Sequence, residues 1–254
     1  NVHRSIEQLD VSGRTRLAVQ KAKQAVNPRE IPLGRYTVIL EPAAVSGLIG
    51  PMIWMLDAKS YDKRTSPFTG KLGRRIIDPK LTLRNYPDHP ALLGNSFNSE
   101  GLPTDGRVWI EGGVLRQLWY DRYTAQEHHV HPTPSLDAPY LSGGGDGHQV
   151  ARDIEELIRN TDRGVLVTNF WYIRTVNPTD LTLTGMTRDG TFLIEGGRLL
   201  TALVDFRWHD SPLRALNNVE AFTAPADAVS NENWKMLLPA LKIRDFNFSS
   251  VTRF

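Results

Sequence analysis

His128, His129 and His131 are the densest group of chemically versatile side chains in this 254-residue chain. Neutral imidazoles ligate zinc, nickel or copper, and near neutral pH they also carry protons. No Glu stands at the spacing of a metalloprotease helix, however, and the segment runs directly into Pro132 and Pro134. A solvated or hydrogen-bonded cluster is therefore expected, with substrate contact or proton transfer as its role if the segment lines a cavity. Asp146 and His148 accompany the run Gly143-Gly144-Gly145-Asp146-Gly147. That run lacks the Lys-Ser/Thr ending of a phosphate loop and the glycine spacing of a dinucleotide site, so a mobile loop is the better reading. Serines are plentiful, but no Gly-x-Ser-x-Gly elbow is present. The chain has no cysteine, which removes thiolate nucleophiles, disulfides, iron–sulfur clusters and every cysteine-containing zinc site.

Composition narrows the partners. Thirty Lys and Arg against 28 Asp and Glu give a formal charge of +2, too little to attract nucleic acid or anionic lipid in bulk. The basic residues are dispersed, and Arg74-Arg75 is too short for a phosphate track. No apolar run approaches the ~18 residues of a membrane span. The longest, Val45 to Leu56, is broken by Gly47, Gly50 and Pro51. The polar start, Asn1 to Arg16, has no signal-peptide stretch. A cytoplasmic protein with no nucleic-acid or membrane partner is expected.

The elements that must position any site follow from periodicity. Arg14 to Val26 spaces its apolar residues as a modest amphipathic helix that stops at Asn27-Pro28. Tyr36 to Leu40 reads as a short buried strand. Pro42 suits a first helical turn, and Ala43 to Leu56 continues as an apolar helix rich in small residues. A polar loop is expected from Asp57 to Gly73. Glu-Gly-Gly occurs at 111–113 and again at 195–197, each time between strand-like runs, which predicts two hairpins. Val150 to Ile158 shows helical spacing, and Val165 to Val176 is the strongest strand candidate. Leu200 to Trp208 and Leu241 to Phe248 add strands, and 128–148 reads as one long loop. Phe170, Trp171, Tyr172 and Trp208 read as core or interface aromatics. The expected fold class is α+β: mostly antiparallel β-sheet and hairpins with a few helices.

Four ordered segments carry a family resemblance: Gly34-Arg35-Tyr36-Thr37-Val38-Ile39-Leu40-Glu41-Pro42, Thr65-Ser66-Pro67-Phe68-Thr69-Gly70-Lys71-Leu72-Gly73, Phe97-Asn98-Ser99-Glu100-Gly101-Leu102-Pro103-Thr104, and 185–197 through the second Glu-Gly-Gly. Together they resemble the C-terminal half of the TldD/PmbA family. The resemblance implies a TldD/PmbA C-terminal-type domain over 34–254, with 1–33 as an N-terminal helix and linker. It also implies that the family's N-terminal α/β domain is absent from this chain, as a fragment or as a short relative. Family members pair as homodimers or heterodimers around a chamber. The TldD-like subunit is a zinc metalloprotease acting on unstructured peptide, in peptide maturation and degradation, and the PmbA/TldE-like subunit lacks the metal motif. An open strand edge can capture extended peptide in this family, which makes Val165 to Val176 a candidate for that role, with an interior strand as the alternative.

Set on this chain through the shared Ala and Gly positions, the family's His-Glu-x-x-x-His falls on Glu41-Pro42-Ala43-Ala44-Val45-Ser46. Glu41 retains a carboxylate, Pro42 cannot take a proton, Ser46 is a very poor zinc ligand, and the third ligand of the family, a Cys, does not occur. The expectation is a PmbA/TldE-like subunit with no catalytic residue and no metal of its own, zinc being supplied only by a TldD-like partner. Glu41, His128, His129 and His131 remain substrate-contact candidates, and for Glu41 negative charge at a helix N-terminus is the simpler role. The alternative is a stand-alone homodimeric peptide-binding or assembly protein without hydrolytic activity.

Overall fold

The computed structural model describes residue 3 and residues 5–144, 150–230 and 233–252. Numbered in chain order, the helices are α1 (Val11–Gln24), α2 (Pro42–Trp54), α3 (Ala58–Asp62), α4 (Arg122–His128), α5 (Ile154–Arg159) and α6 (Pro212–Asn217). The strands are β1 (Gly34–Leu40), β2 (Leu81–Asn85), β3 (Val108–Glu111), β4 (Val114–Leu115), β5 (Pro139–Gly143), β6 (Arg163–Asn177), β7 (Thr182–Glu195), β8 (Arg198–Ala202), β9 (Phe206–Asp210), β10 (Val219–Phe222), β11 (Ala226–Val229), β12 (Lys235–Leu238) and β13 (Leu241–Val251).

Two sheets form. In the larger one, β1 pairs parallel with β6, and β6, β7, β9 and β13 follow antiparallel. β13 also pairs antiparallel with β1 along Gly34 to Leu40, so these five strands close into a small barrel. β8 extends β7 outside the ring, and β10 pairs with the first residues of β13. The second sheet is open, ordered β11-β12-β5-β2-β3-β4. Every pairing between these strands is antiparallel except β1 with β6 and β12 with β5.

β1, β6 and β7 are buried on both faces over 38–40, 164–168 and 191–194, whereas β9 and β13 alternate. Val38 and Leu40 of β1, with Val165 and Val167 of β6, join the main core, whereas Ile39 and Leu166 face a second cluster with Leu157 and Ile158 of α5. Aromatic rings fill the main core: Phe170 lies 4.8 Å from Trp208 and stacks on Phe246 at 5.7 Å, and Phe206 meets Phe248 at 4.8 Å. Both Glu-Gly-Gly copies form the same tight turn. Gly112 and Gly113 have φ of 51° and 76°, and Gly196 and Gly197 have 55° and 73°, the paired left-handed conformations that join strands in a two-residue hairpin.

Several expectations need correction. α1 begins at Val11 rather than Arg14, because the Asp10 carboxylate caps it by accepting from the Gly13 N–H at 2.8 Å. The loop from Asp57 contains α3, capped by Asp57 on Ser60 at 2.7 Å. The helix expected from Val150 starts only at Ile154, since Ala151 is held extended by donating to the Phe222 carbonyl. Leu200 to Trp208 is two strands, interrupted where Leu203 pairs with Arg29 and Val204 donates to the Arg29 carbonyl. The 128–148 loop contains β5, an interior strand between β2 and β12.

Barrel closure is pinned at one place. Asp245 adopts φ 61° inside β13, and near it the strand exchanges β10 for β9 as its neighbour. Arg214 of α6 donates Nη1 to Asp245 Oδ2 at 3.0 Å and Nη2 to the Asp245 carbonyl at 2.7 Å, and it also binds both oxygens of Asp210 at the end of β9. The Asp210 side chain is 2% exposed and is further satisfied by the Ser211 and Asn247 N–H groups. Removing the guanidinium leaves a buried carboxylate without its cation, a change that costs about 3 kcal/mol or more. Arg214→Leu is therefore expected to lower unfolding stability by roughly 3 kcal/mol in urea titrations. Arg214→Lys recovers only part, because a point charge cannot reproduce the fork.

Candidate functional site

Helix α2 separates two cavities, and its small residues determine both. It follows β1 directly: the Glu41 N–H donates to Val167 of β6, and Pro42 occupies the first helical position. The helix packs against β6 on one side and β11 and β12 on the other, so it is buried over most of its surface. Gly47 favours that approach: a Cβ there would stand 2.8 Å from Ile173 Cδ1 and 3.3 Å from Phe170 Cβ, so both neighbours would have to give way. Pro51 lies inside the helix and has no N–H to close on the Gly47 carbonyl.

The first cavity, of about 680 Å³, lies between α1 and the barrel and is lined by Lys21, Glu41, Asn169, Asp189 and Asp205 among others. No residue of α1 is buried. Its Lys21 Nζ donates to both Glu41 oxygens, at 2.7 and 2.5 Å, in a partly buried ion pair. Asp189 is left-handed (φ 64°) and its Oδ2 accepts from Asn169 Nδ2 at 2.9 Å. Asp205 Oδ1 accepts from the hydroxyls of Thr187 at 2.9 Å and Thr191 at 3.1 Å. Burial pushes the Asp205 carboxyl above its ordinary range; the two hydroxyls pull it partly back, Asp189 raises it and Arg188 lowers it.

The second cavity, of about 330 Å³, is a groove between α2 and β6. Ser46, Gly47, Gly50, Pro51 and Trp54 form its helical wall. The opposite wall is β6 from Trp171 to Thr175, with Trp234 at one end. β6 is interior at 165–167, between β1 and β7, but beyond Val167 it pairs with β7 alone among the described residues. The expected strand is thus interior in its first part and a sheet edge in its second. Tyr172 has φ 52° where the pairing with β7 slips, a bulge of the kind that re-aims side chains beside binding sites. Trp171 and Tyr172 are exposed, each beneath an arginine (Arg188 at 4.8 Å and Arg174 at 4.2 Å), whereas Phe170 and Trp208 are core.

The residues singled out from sequence do not converge. Glu41 opens onto the cavity beneath α1, whereas Ser46 lines the groove on the other side of the helix. Both Glu41 oxygens are taken by Lys21, Pro42 offers no donor atom, and the buried Ser46 hydroxyl donates to the Ala43 carbonyl at 2.7 Å. These three positions do not fit a zinc ion. His128 ends α4 and pairs through Nε2 with Asp62 of α3 at 2.7 Å; His129 caps the same helix in a left-handed conformation, and His131 is exposed. Among the described residues no three His, Asp or Glu side chains gather as a metal-binding group. Asp146 and His148 lie outside the described residues. The Asp205 network and the Trp54–Trp234 groove were missed in the sequence, because their members come from separate elements with no local spacing to mark them.

Asp205 gives a pH prediction. Its folded pKa lies above its unfolded value, so its contribution to stability is complete below the unfolded pKa and is lost as pH rises through the folded one. Asp205→Asn keeps an acceptor for both threonines and removes the titration. Its stability relative to the parent chain is expected to rise between about pH 4 and pH 7, read as denaturation midpoints at both values. A pH-independent difference would contradict this account.

Comparison with known proteins comes to the same fold. The profile described as "PmbA/TldA metallopeptidase C-terminal domain" matches residues 33–250. The chain is 24% identical over 147 residues to Metalloprotease PmbA of Escherichia coli O157:H7, covering 56% of this chain and 31% of that protein. It is 26% identical over 121 residues to a protein named Metalloprotease from Methanothermobacter thermautotrophicus strain Delta H, covering 47% and 27%. The match thus spans about a third or less of either curated relative. The crystal structure of TldE from Thermococcus kodakarensis superposes with a TM-score of 0.85 at 24% identity, over 97% of this chain and 57% of that one. No helix among the described residues is long and apolar enough to cross a membrane.

Proposed function

The chain belongs to the PmbA/TldD family through its C-terminal domain, and from that premise we propose that it is a zinc-less, PmbA/TldE-like subunit. In this reading it shapes a chamber and holds unstructured peptide, while a TldD-like partner supplies zinc hydrolysis. The observation that carries the proposal is the wall of the groove. The residues α2 presents there are Ser46, Gly47, Gly50, Pro51 and Trp54, and none bears an imidazole, carboxylate or thiolate. Facing them is the edge of β6, whose main chain is paired by β7 on one side only beyond Val167.

Such an edge captures an extended peptide by adding it as a further strand: main-chain hydrogen bonds supply affinity, and pockets for alternate side chains supply selectivity. Peptide in an extended form presents N–H and C=O groups to both sides, so any unstructured segment of suitable side chains qualifies. This chain's residues hold and orient; no bond-breaking step is assigned to them. The Lys21–Glu41 pair fits a positioning role for α1, over the other cavity, rather than contact with peptide.

Mixed with a family subunit that carries His-Glu-x-x-x-His, the chain is expected to co-elute as a complex that cleaves unstructured peptide and whose zinc follows the partner. Alone it is expected to bind such peptide without cleaving it. Methylating alternate peptide nitrogens, on the side facing β6, is expected to weaken binding at least about tenfold, and methylating the intervening ones is not. Hydrolysis by the isolated chain overturns the reading. A homodimer that binds peptide and gains nothing from such a partner replaces it with a stand-alone binding protein.

A further inference from the structure

A third cavity, of about 500 Å³, adjoins the groove, and Trp54 and Trp234 line both. Trp109, Trp119, Leu136 and Asp137 complete most of its wall, so four indoles surround it. Three polar atoms of these residues are buried with no hydrogen-bond partner: Trp109 Nε1, Trp119 Nε1 and Asp137 Oδ1. Trp109 is 1% exposed, so solvent does not satisfy its N–H. The other Asp137 oxygen is fully engaged, accepting from the Asn95 N–H at 3.0 Å and Asn95 Nδ2 at 3.2 Å. Trp234 Nε1 donates to the Asp137 carbonyl at 2.7 Å, which fixes that indole beside the carboxylate. No lining residue is cationic.

Buried polar groups are ordinarily paired, and an unpaired one is costly to the folded state. Here two donors and one acceptor are left over in one aromatic enclosure, and no bond joins them to each other. A purely apolar occupant would satisfy the walls and leave all three atoms unmet. An acidic one would oppose Asp137. The occupant that meets most of these features carries a cation for Asp137 Oδ1, an aliphatic stem for the indoles, and a carbonyl that accepts from one of the two indole N–H groups. Aromatic faces add attraction for the cation.

We propose that this cavity is a subsite for a basic side chain, arginine or lysine, of peptide lying in the groove. The charged head meets Asp137, the stem runs between the tryptophans, and the main-chain carbonyl of the same residue accepts from Trp109 or Trp119. The identity of the remaining ligand rests on the peptide-binding reading above; the chemistry of the cavity does not.

The test uses the full chain and single-residue probes, so that it is independent of capture along β6. Binding of Nα-acetyl-arginine amide, Nα-acetyl-norleucine amide and agmatine is followed by calorimetry and by tryptophan fluorescence. The arginine amide is expected to saturate with at least a tenfold preference over norleucine amide, and its binding, unlike that of norleucine amide, to weaken with salt. Asp137→Asn keeps an acceptor for Asn95 and is expected to abolish the preference while leaving norleucine affinity unchanged. Trp119→Phe keeps an aromatic face but removes the N–H together with the five-membered ring. It is expected to weaken both amides severalfold and agmatine, which has no carbonyl, by clearly less; if Trp109 is the donor, Trp109→Phe shows that pattern instead. Equal binding of arginine and norleucine amides, absence of saturation, or a preference that survives Asp137→Asn overturns the proposal. Should Asp137→Asn not fold, the salt dependence and the phenylalanine variants decide. If extended neutral peptide fails to bind while the arginine amide still binds, the groove reading fails and the subsite stands.

Discussion

The clamp formed by Arg214 on Asp210 and Asp245 determines how the rest of the molecule is arranged. Beyond the Asp245 bulge β13 follows β9, and before it the strand follows β10. The same strand pairs with β1 from Leu241 to Phe248, on both sides of the bulge. Fixing that bulge fixes the register on both sides, and register decides which of two buried faces each side chain enters. α2 leaves β1 without an intervening loop, so the β1–β13 pairing that closes the barrel also fixes where the helix begins.

Helix α2 transmits this order to the site. Its first turn is held by Glu41 donating its N–H to β6, and its middle is drawn against β6 by Gly47. Beyond Val167, where the pairing with β1 has ended, β6 runs on beside α2 with no strand paired on that side among the described residues. The groove therefore arises where a parallel pairing ends and a helix begins, a location at which main-chain groups are presented without a partner strand. The Tyr172 bulge turns the exposed aromatic residues toward this opening rather than along the sheet.

Elements defined by local pattern were legible in the sequence. The two Glu-Gly-Gly turns, the apolar run Tyr36 to Leu40 and the Pro42 helix start each follow from chemistry within a few residues. Boundaries set by tertiary contacts were not. Ala151 has helical neighbours in sequence yet is pulled extended by Phe222, and Leu203 breaks a strand because Arg29 pairs there. Barrel closure joins the two ends of the domain and leaves no periodic trace. At the site, the residue types at Glu41, Pro42 and Ser46 were readable, but not that Lys21 occupies Glu41 or that Glu41 and Ser46 face different cavities. Trp54 and Trp234 are remote in sequence and become one wall only through the packing of α2 on β11 and β12.

The small residues of α2 do two incompatible-looking things, and geometry reconciles them. Gly47 has little space for a side chain, because Ile173 Cδ1 and Phe170 Cβ stand 2.8 and 3.3 Å from the position of its Cβ. Gly50 does have space, with only Met236 Cε near its Cβ position, at 3.9 Å. One glycine thus serves close packing, whereas the other leaves volume in the groove. A helix that carried bulky ligating side chains toward β6 would spend that volume on the ligands and their coordination. Gly50 instead leaves that volume open, and Trp54 and Trp234 line both the groove and the indole-lined cavity. The same small residues that leave this volume also give the wall no imidazole, carboxylate or thiolate.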